Sequence, residues 1–303
     1  MAAERTFKSI EHDGWNERAT IYDKYTARIT NYGIEPLLES ARIEPGNTVL
    51  DVCCGTGLVA AVAASRGAIV TGVDIAEDMV NTAIKKRLAA EFRTGDAEHL
   101  PFKDDSFDFV ICNFGMYHLP EPDHAVREAA RVLKRGGRYA YTTWCGPEVS
   151  PLYRIIPEAI KTYGTMDVGL PSAPPAFRFA DRAEATKAMQ DAGFSEITFG
   201  DIPAVLDCPI EGVLDFIEHA FVRATMMLHA QPAQARPRVL QAIQKQFSKY
   251  AVGGIVQMPL PAVSSAARSD EKDDTIRGAP PRQPSAPAGA TVRPAVKPSW
   301  VSA

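Results

Sequence analysis

No stretch of the sequence approaches the roughly 18 consecutive apolar residues of a membrane-spanning helix. The opening segment MAAERTFKSIEHDGW has no apolar core of the kind a secretory leader carries. Neither export nor a membrane span is expected, and the sequence points to the cytoplasm. An excess of one charge is also lacking: 33 Lys and Arg against 37 Asp and Glu give a net charge of -4, with the signs interspersed and no dense basic run. That surface offers no electrostatic footprint for nucleic acid or an anionic membrane, so the expected partner is a small molecule. Cysteine is sparse and scattered. Cys53, Cys54, Cys112, Cys145 and Cys208 form no CxxC and have no histidine at ligand spacing, which disfavours both a zinc site and a disulfide framework. The adjacent Cys53 and Cys54 are expected to be small buried hydrophobes. No internal repeat is present.

What is present is a chain of 303 residues with 46% hydrophobic composition, enough to bury a full core. From residue 48 onward, short apolar runs, glycine-punctuated turns and helical stretches alternate. Strands are predicted at 48–52, 68–73 (ending in Asp74), 90–94, 107–113 and 138–144, with helices at about 57–66, 75–87 and 123–134. The run at 107–113 is nearly continuous apolar sequence, as in a parallel strand covered on both faces. Gly136 and Gly137 are expected to stop the last of these helices. This alternation predicts an α/β fold with a doubly wound, Rossmann-like sheet, whose ligand sits at the carboxyl ends of the strands.

A further helix near 181–190, a strand near 196–205 and a late apolar run at 255–263 are expected to complete seven strands. The segment 211–250, with two helical patterns, reads as an inserted helical lid. Ahead of the sheet, GWNERATIYDKYTARITNY predicts a covering helix over about 12–32, with Ile21, Tyr25 and Ile29 on one stripe. Residues 1–268 read as one domain. The Pro- and Ala-rich tail from 269 to 303 has too few large apolar residues to pack and is expected to be disordered.

The segment Leu-Asp-Val-Cys-Cys-Gly-Thr-Gly, residues 50–57, joins the first strand to its helix. Glycine there permits a tight turn and close approach of a ligand to the backbone, and the helix N-terminus offers free N–H groups. Gly55-x-Gly57-x-x-Ala60 also fits the dinucleotide fingerprint, so a nicotinamide-dependent oxidoreductase is the rival reading. Three acids bear on the choice. Asp51 stands before the turn, where a carboxylate can hold a cationic ligand or an amino group. Asp74 ends the second strand about 20 residues past the turn, the placement of a ribose-binding acid. Asp96, in Gly95-Asp96-Ala97, follows the third strand, where it can accept from an adenine amino group.

In order, VLDVCCGTG, TGVDIAEDMV, GDAEHLPFKDDSFDFVICNFGMYHL and REAARVLKRGGRYAYTTW span about residues 48–144. This succession resembles the class I S-adenosylmethionine-dependent methyltransferases, especially the branch with ubiquinone and menaquinone C-methyltransferases and many natural-product enzymes. The resemblance implies Asp51, Gly55 and Gly57 around the methionine part of the cofactor, and Asp74 on the ribose. It also implies Met79 beside the adenine, Asp96 and Ala97 at its edge, and Asn113 and Phe114 facing the cofactor and the reacting methyl. Cys53 stands where the family often has a first glycine and narrows the space beside the cofactor. The covering helix is expected to bring Trp15 or Tyr22 near the methyl group.

The implied activity is methyl transfer to a small molecule. The loop VGLPSAPPAFRF (168–179) and the insertion residues Phe216, Phe221, Met226, Met227 and Leu228 suggest an apolar or aromatic acceptor, methylated on oxygen or carbon. His118, just beyond the fourth strand, is the candidate general base. A cofactor-binding module without catalysis is the remaining alternative, and the oligomeric state is left open.

Overall fold

The computed structural model describes residues 5–270. Its strands are β1 (Thr48–Val52), β2 (Ile69–Asp74), β3 (Ala90–Thr94), β4 (Phe107–Asn113), β5 (Leu133–Trp144), β6 (Phe194–Ile202), β7 (Val205–Pro209), β8 (Ala251–Val252), β9 (Ile255–Pro259) and β10 (Ala262–Ser269). Seven of them form one sheet in the order β3-β2-β1-β4-β5-β10-β6. The first five run parallel, and β10 is antiparallel to both its neighbours. The order reverses between β1 and β4, so the loops leaving those two strands diverge and open a crevice at their carboxyl ends.

Alternation along each strand sends residues to opposite faces. The helices on and around the sheet are α1 (Phe7–Arg18), α2 (Ala27–Thr30), α3 (Ile34–Ala41), α4 (Leu58–Ser65), α5 (Glu77–Lys85), α6 (Pro122–Val132), α7 (Pro151–Tyr163), α8 (Arg182–Asp191), α9 (Val213–Ala220), α10 (Val222–His229) and α11 (Arg236–Phe247). Val49, Val70, Ile111 and Ala140 pack on Leu37 and Leu38 of α3 and Val59, Ala60 and Ala63 of α4. Leu50, Val52, Val110 and Tyr139 pack instead on Val126 and Ala129 of α6 and Ala185 and Met189 of α8. A further core lies around α7, α9, α10 and α11, where Ile156, Ile160, Phe216, Val239 and Phe247 meet Val256 and Met258 of the small sheet β7-β9-β8.

The seven-stranded Rossmann-like sheet matches the expectation, but several surrounding elements differ. The covering helix begins at Phe7 rather than near 12, because Thr6 and Ser9 form a reciprocal capping box. It also ends at Arg18, and turns carry residues 19–26 down toward the sheet before α2. The insertion at 211–250 holds three α-helices instead of two, because Phe221 adopts an extended conformation and separates α9 from α10. The late apolar run divides: β9 joins the small sheet, and β10 enters the main sheet and continues to Ser269. Likewise the strand expected at 196–205 divides into β6 and β7. Helix α7 was not anticipated. Gly136 and Gly137 do not end α6; they lie within β5, where the register against β4 shifts. Of the tail expected to be disordered, Ser269 and Asp270 are ordered against Phe194 and Gly193, and residues 271–303 lie outside the described residues.

The crevice depends on close packing of its two loops. Cys53 (φ 57°) and Phe114 (φ 55°), the residues directly after β1 and β4, both hold left-handed backbone conformations that are costly for side-chain-bearing residues. Between them, Gly115 leaves no room for a side chain. A Cβ there would stand 2.5 Å from Cys53 Cβ and 2.6 Å from Cys112 Sγ. Gly115→Ala should therefore destabilise the fold by about 1–3 kcal/mol through overpacking, read as a lowered Tm. An unchanged Tm would show that the two loops stand farther apart.

Candidate functional site

The crevice is floored by the turns after β1, β2, β3 and β4. One chamber, of about 80 Å³, is walled by Tyr22, Cys53, Gly55, Asp74, Met79, Asn113, Phe114 and His118, among others. A second, of about 30 Å³, lies between Cys53, Asp74, Gly95, Asp96, Ala97 and His118. Asp74, Cys53 and His118 are common to both walls. The structure thus brings together ten of the twelve site residues expected from sequence. Asp51 and Gly57 do not line either chamber.

Asp74 is the hinge of this arrangement. Its carboxylate accepts from the backbone N–H of Gly55 at 2.8 Å and of Ala76 at 2.9 Å, tying the β1 loop to the end of β2. Burial raises its pKa, and those N–H groups offset the shift only in part. Gly55 itself has φ 52°, and a Cβ there would meet only Tyr22 Cζ at 3.9 Å, so its backbone is open to close approach from the chamber. Cys53 and Cys54 are held as neutral thiols, Cys53 by a contact with Cys112 and by burial, Cys54 by burial.

The remaining expected residues have partners within the fold. Asp96 accepts from the Glu98 N–H and pairs with Lys8 of α1, which also reaches Glu98 at 2.7 Å. Asn113 donates to the carbonyl of Thr30 at 3.1 Å and accepts from Thr142 at 2.6 Å. Phe114 stacks on Trp144 at 3.8 Å between ring centroids. Burial pushes the Tyr22 phenol up to about 12.

Helix α1 roofs the crevice and contributes a residue that the sequence reading missed. Glu11 is 5% exposed, and its Oε2 accepts from Trp15 Nε1 at 3.1 Å and lies 2.7 Å from His118 Nδ1. Trp15 also meets the His118 ring edge-on at 4.9 Å. With Nδ1 directed at Glu11, Nε2 is the ring nitrogen without a partner among the described residues. The available signal was an acid at the helical spacing of Phe7, Ile10 and Gly14, which with Glu11 and Arg18 are the buried positions of α1.

Next to the crevice lies an apolar cavity of about 200 Å³ between α1, α7, α10 and the loop before α8. Leu152, Ile156, Ile160, Phe177, Val222 and Met227 supply most of its wall, and Glu11, Tyr117, His118, Tyr153 and Arg223 its polar groups. Glu11 and His118 line this cavity and both chambers of the crevice.

Comparison with known proteins gives this geometry its context. Residues 50–141 match the family described as a methyltransferase domain. The 27-O-demethylrifamycin SV methyltransferase of Amycolatopsis mediterranei is 33% identical over 142 residues, which cover 44% of this chain and 50% of that protein. A demethylmenaquinone methyltransferase of Listeria welshimeri is 30% identical over 181 residues, 52% of this chain and 74% of the relative. The chain belongs to the S-adenosylmethionine-dependent methyltransferases. Membership in this family decides against the nicotinamide-oxidoreductase reading. The methyltransferase fold also matches a putative methyltransferase structure from Bacillus halodurans, with TM-score 0.52 and 23% identity over 78% of this chain and 99% of that one. The chain spans about half the length of the first of the relatives named above.

In this methyltransferase, Asp51 faces away from the crevice because it shares the side of β1 that carries Val49, toward α4. Its side chain is buried, and neither carboxylate oxygen forms a hydrogen bond within the fold. Burial pushes its pKa from 3.8 up to about 8; the nearby Ala60 N–H offsets this in part, and the Asp74 charge adds to it. A raised folded-state pKa means that the folded chain keeps a proton which the unfolded chain releases. The stability from Asp51 is therefore full below pH 3.8 and is lost as pH rises through about 8. Asp51→Asn should flatten the decline of Tm across that window, followed by calorimetry at stepped pH; an identical decline in the variant would assign it to another group.

Proposed function

We propose that this methyltransferase methylates a small apolar molecule, with the acceptor seated in the cavity beneath α7 and α10 and His118 acting as general base. One observation carries the reading: the same imidazole lines the acceptor cavity and the cofactor crevice. The groups facing the crevice fit S-adenosylmethionine. Asp74, already fixed by two N–H donors, presents its carboxylate to ribose hydroxyls; Ala97 and Met79 offer apolar surface to a flat base; and the open backbone at Gly55 admits the amino-acid part. Asp96 reaches an adenine amino group only by sharing its carboxylate with Lys8. Asp51 does not contact the crevice and packs beneath the β1 loop as a buried carboxyl that keeps its proton.

When bound, S-adenosylmethionine supplies an electrophilic methyl group on a sulfonium. The chain's own contribution is alignment, exclusion of water and removal of a proton. Apolar walls and the α1 roof exclude water, and a fixed approach line alone is worth effective molarities of about 10⁵–10⁸ M. Glu11 holds His118 so that Nε2 receives the proton of the acceptor hydroxyl or acidic C–H. The two chambers are far smaller than the roughly 300–1,000 Å³ typical of ligand pockets. Helix α1 therefore has to lift to admit the cofactor, exchanging partly exposed pairs such as His12 with Glu77 for water. The reaction is assigned to the cytoplasm and to a free metabolite rather than a nucleic acid, in keeping with the even charge distribution. The named relatives act on demethylrifamycin SV and demethylmenaquinone, which supports an apolar acceptor here.

The test is incubation with methyl-labelled S-adenosylmethionine and a metabolite extract, followed by mass spectrometry. A labelled small apolar product is expected; label found only in macromolecules would contradict the reading. With that product's precursor as substrate, His118→Ala should lower turnover by about 10²–10⁴-fold and leave S-adenosylhomocysteine affinity unchanged. Full turnover in the variant would remove His118 from proton transfer.

A further inference from the structure

The acceptor cavity contains one charge that the fold does not answer. Of its two formally charged wall residues, Glu11 is engaged by Trp15 and His118. Arg223, at the start of α10, is different. Its Nη2 donates to the carbonyl of Pro171 at 2.9 Å, while its Nη1 is buried and has no hydrogen-bond partner among the described residues. Among the described residues no carboxylate forms an ion pair with Arg223. The neighbouring Glu218 is taken up by His229 at 2.7 Å. Guanidinium is always charged and presents a planar fork suited to oxyanions, and leaving such a donor buried and unpaired costs free energy. The cavity it lines is walled largely by apolar side chains, among them Ala173, Pro174 and Phe177 from the loop before α8 and Val222, Ala224 and Met227 from its own helix. Arg223 lines the cavity but neither chamber of the crevice.

We propose that the acceptor is an apolar molecule bearing an oxyanion, a carboxylate or sulfonate, and that Arg223 binds this group at the end of the cavity away from the methyl donor. This rests on the reading of that cavity as the acceptor site. Binding moves one charged group from water onto a guanidinium already fixed by Pro171, and the apolar body of the acceptor covers the cavity wall. The methylated atom then points toward His118, because the oxyanion and the apolar body leave a single orientation. Arg223 is a specificity determinant and takes no part in proton transfer.

A matched pair of fluorescent probes separates the charge from the apolar body: 8-anilinonaphthalene-1-sulfonate, and N-phenyl-1-naphthylamine, which has the same rings without the sulfonate. The unaltered protein should bind the sulfonate at least about tenfold more tightly than the neutral probe. Arg223→Gln should abolish that preference and leave the neutral probe's affinity unchanged, and Arg223→Lys should restore part of it. Met227→Trp, which fills the cavity, should weaken both probes. Equal affinity for the two probes in the unaltered protein, a preference that survives Arg223→Gln, or sulfonate binding that survives Met227→Trp would each overturn the proposal. Titration with S-adenosylhomocysteine separates this from failure of the methyltransferase reading. Absence of the probe preference from an unaltered protein that does bind that ligand refutes the oxyanion alone; absence of that ligand's binding to the unaltered protein refutes the cofactor assignment.

Discussion

A single buried carboxylate, Glu11, joins the roof of this protein to its sheet. It is carried on α1, near the start of the chain, and meets His118 in the turn after β4, more than a hundred residues later. A buried carboxylate is costly unless its oxygens are satisfied, and Trp15 and His118 do so at one oxygen. The contact closes α1 over the crevice, sets the histidine's orientation, and stands between the crevice and the apolar cavity, both of which Glu11 and His118 line. Lys8, one turn earlier on α1, repeats the device by pairing with Asp96 and Glu98. The first half of the roof is thus held by polar contacts with turns of the sheet, while Gly14 packs α1 against Val222 of the insertion.

The order of the strands supplies the other constraint. Because β4 lies beside β1 on the side away from β2, two loops leave neighbouring strands in opposite directions, and a space opens at the carboxyl edge of the sheet. The strained backbones of Cys53 and Phe114 and the absent side chain at Gly115 keep those loops in contact. Asp74 then fixes the first loop from the β2 side. Each of these positions is set by the sheet, which is why the crevice is assembled from short segments on rigid strand ends, while the apolar cavity is built from α1, α7, α10 and a proline-rich loop.

The division also explains what could be read from sequence. Strands β3 and β4 appear at their sequence-predicted bounds, and for β4 the local pattern suffices: a nearly continuous apolar run bounded by turn residues. Cys53, Gly55, Asp74, Ala97 and Asn113 sit at strand ends, and their place on the crevice follows once the strands are recognised. Glu11 could not be placed that way, since its partner is distant in the chain and only its position on an apolar helix face hinted at burial. Asp51 was legible as a special acid but not as to direction, because the alternation of β1 turns it toward α4. Asp96 was expected to accept from an adenine amino group, and its pairing with Lys8, 88 residues away, could not be seen in the local sequence. In the insertion, the extended conformation at Phe221 breaks a helical pattern that looked continuous, and β9 and β10 share one apolar run yet enter different sheets. Arg223 gave no local signal at all; its isolation emerges only when α10 and the loop before α8 are packed together.

The central claim is that the strand-end turns and α1 enclose one cofactor. Amide hydrogen exchange with and without S-adenosylhomocysteine tests it directly. The account predicts added protection in residues 53–57, 74–79, 95–97 and 113–118 together with α1, and little change in α11 or the small sheet β7-β9-β8. Protection confined to the insertion, or none in α1 and the β1 loop, would contradict it.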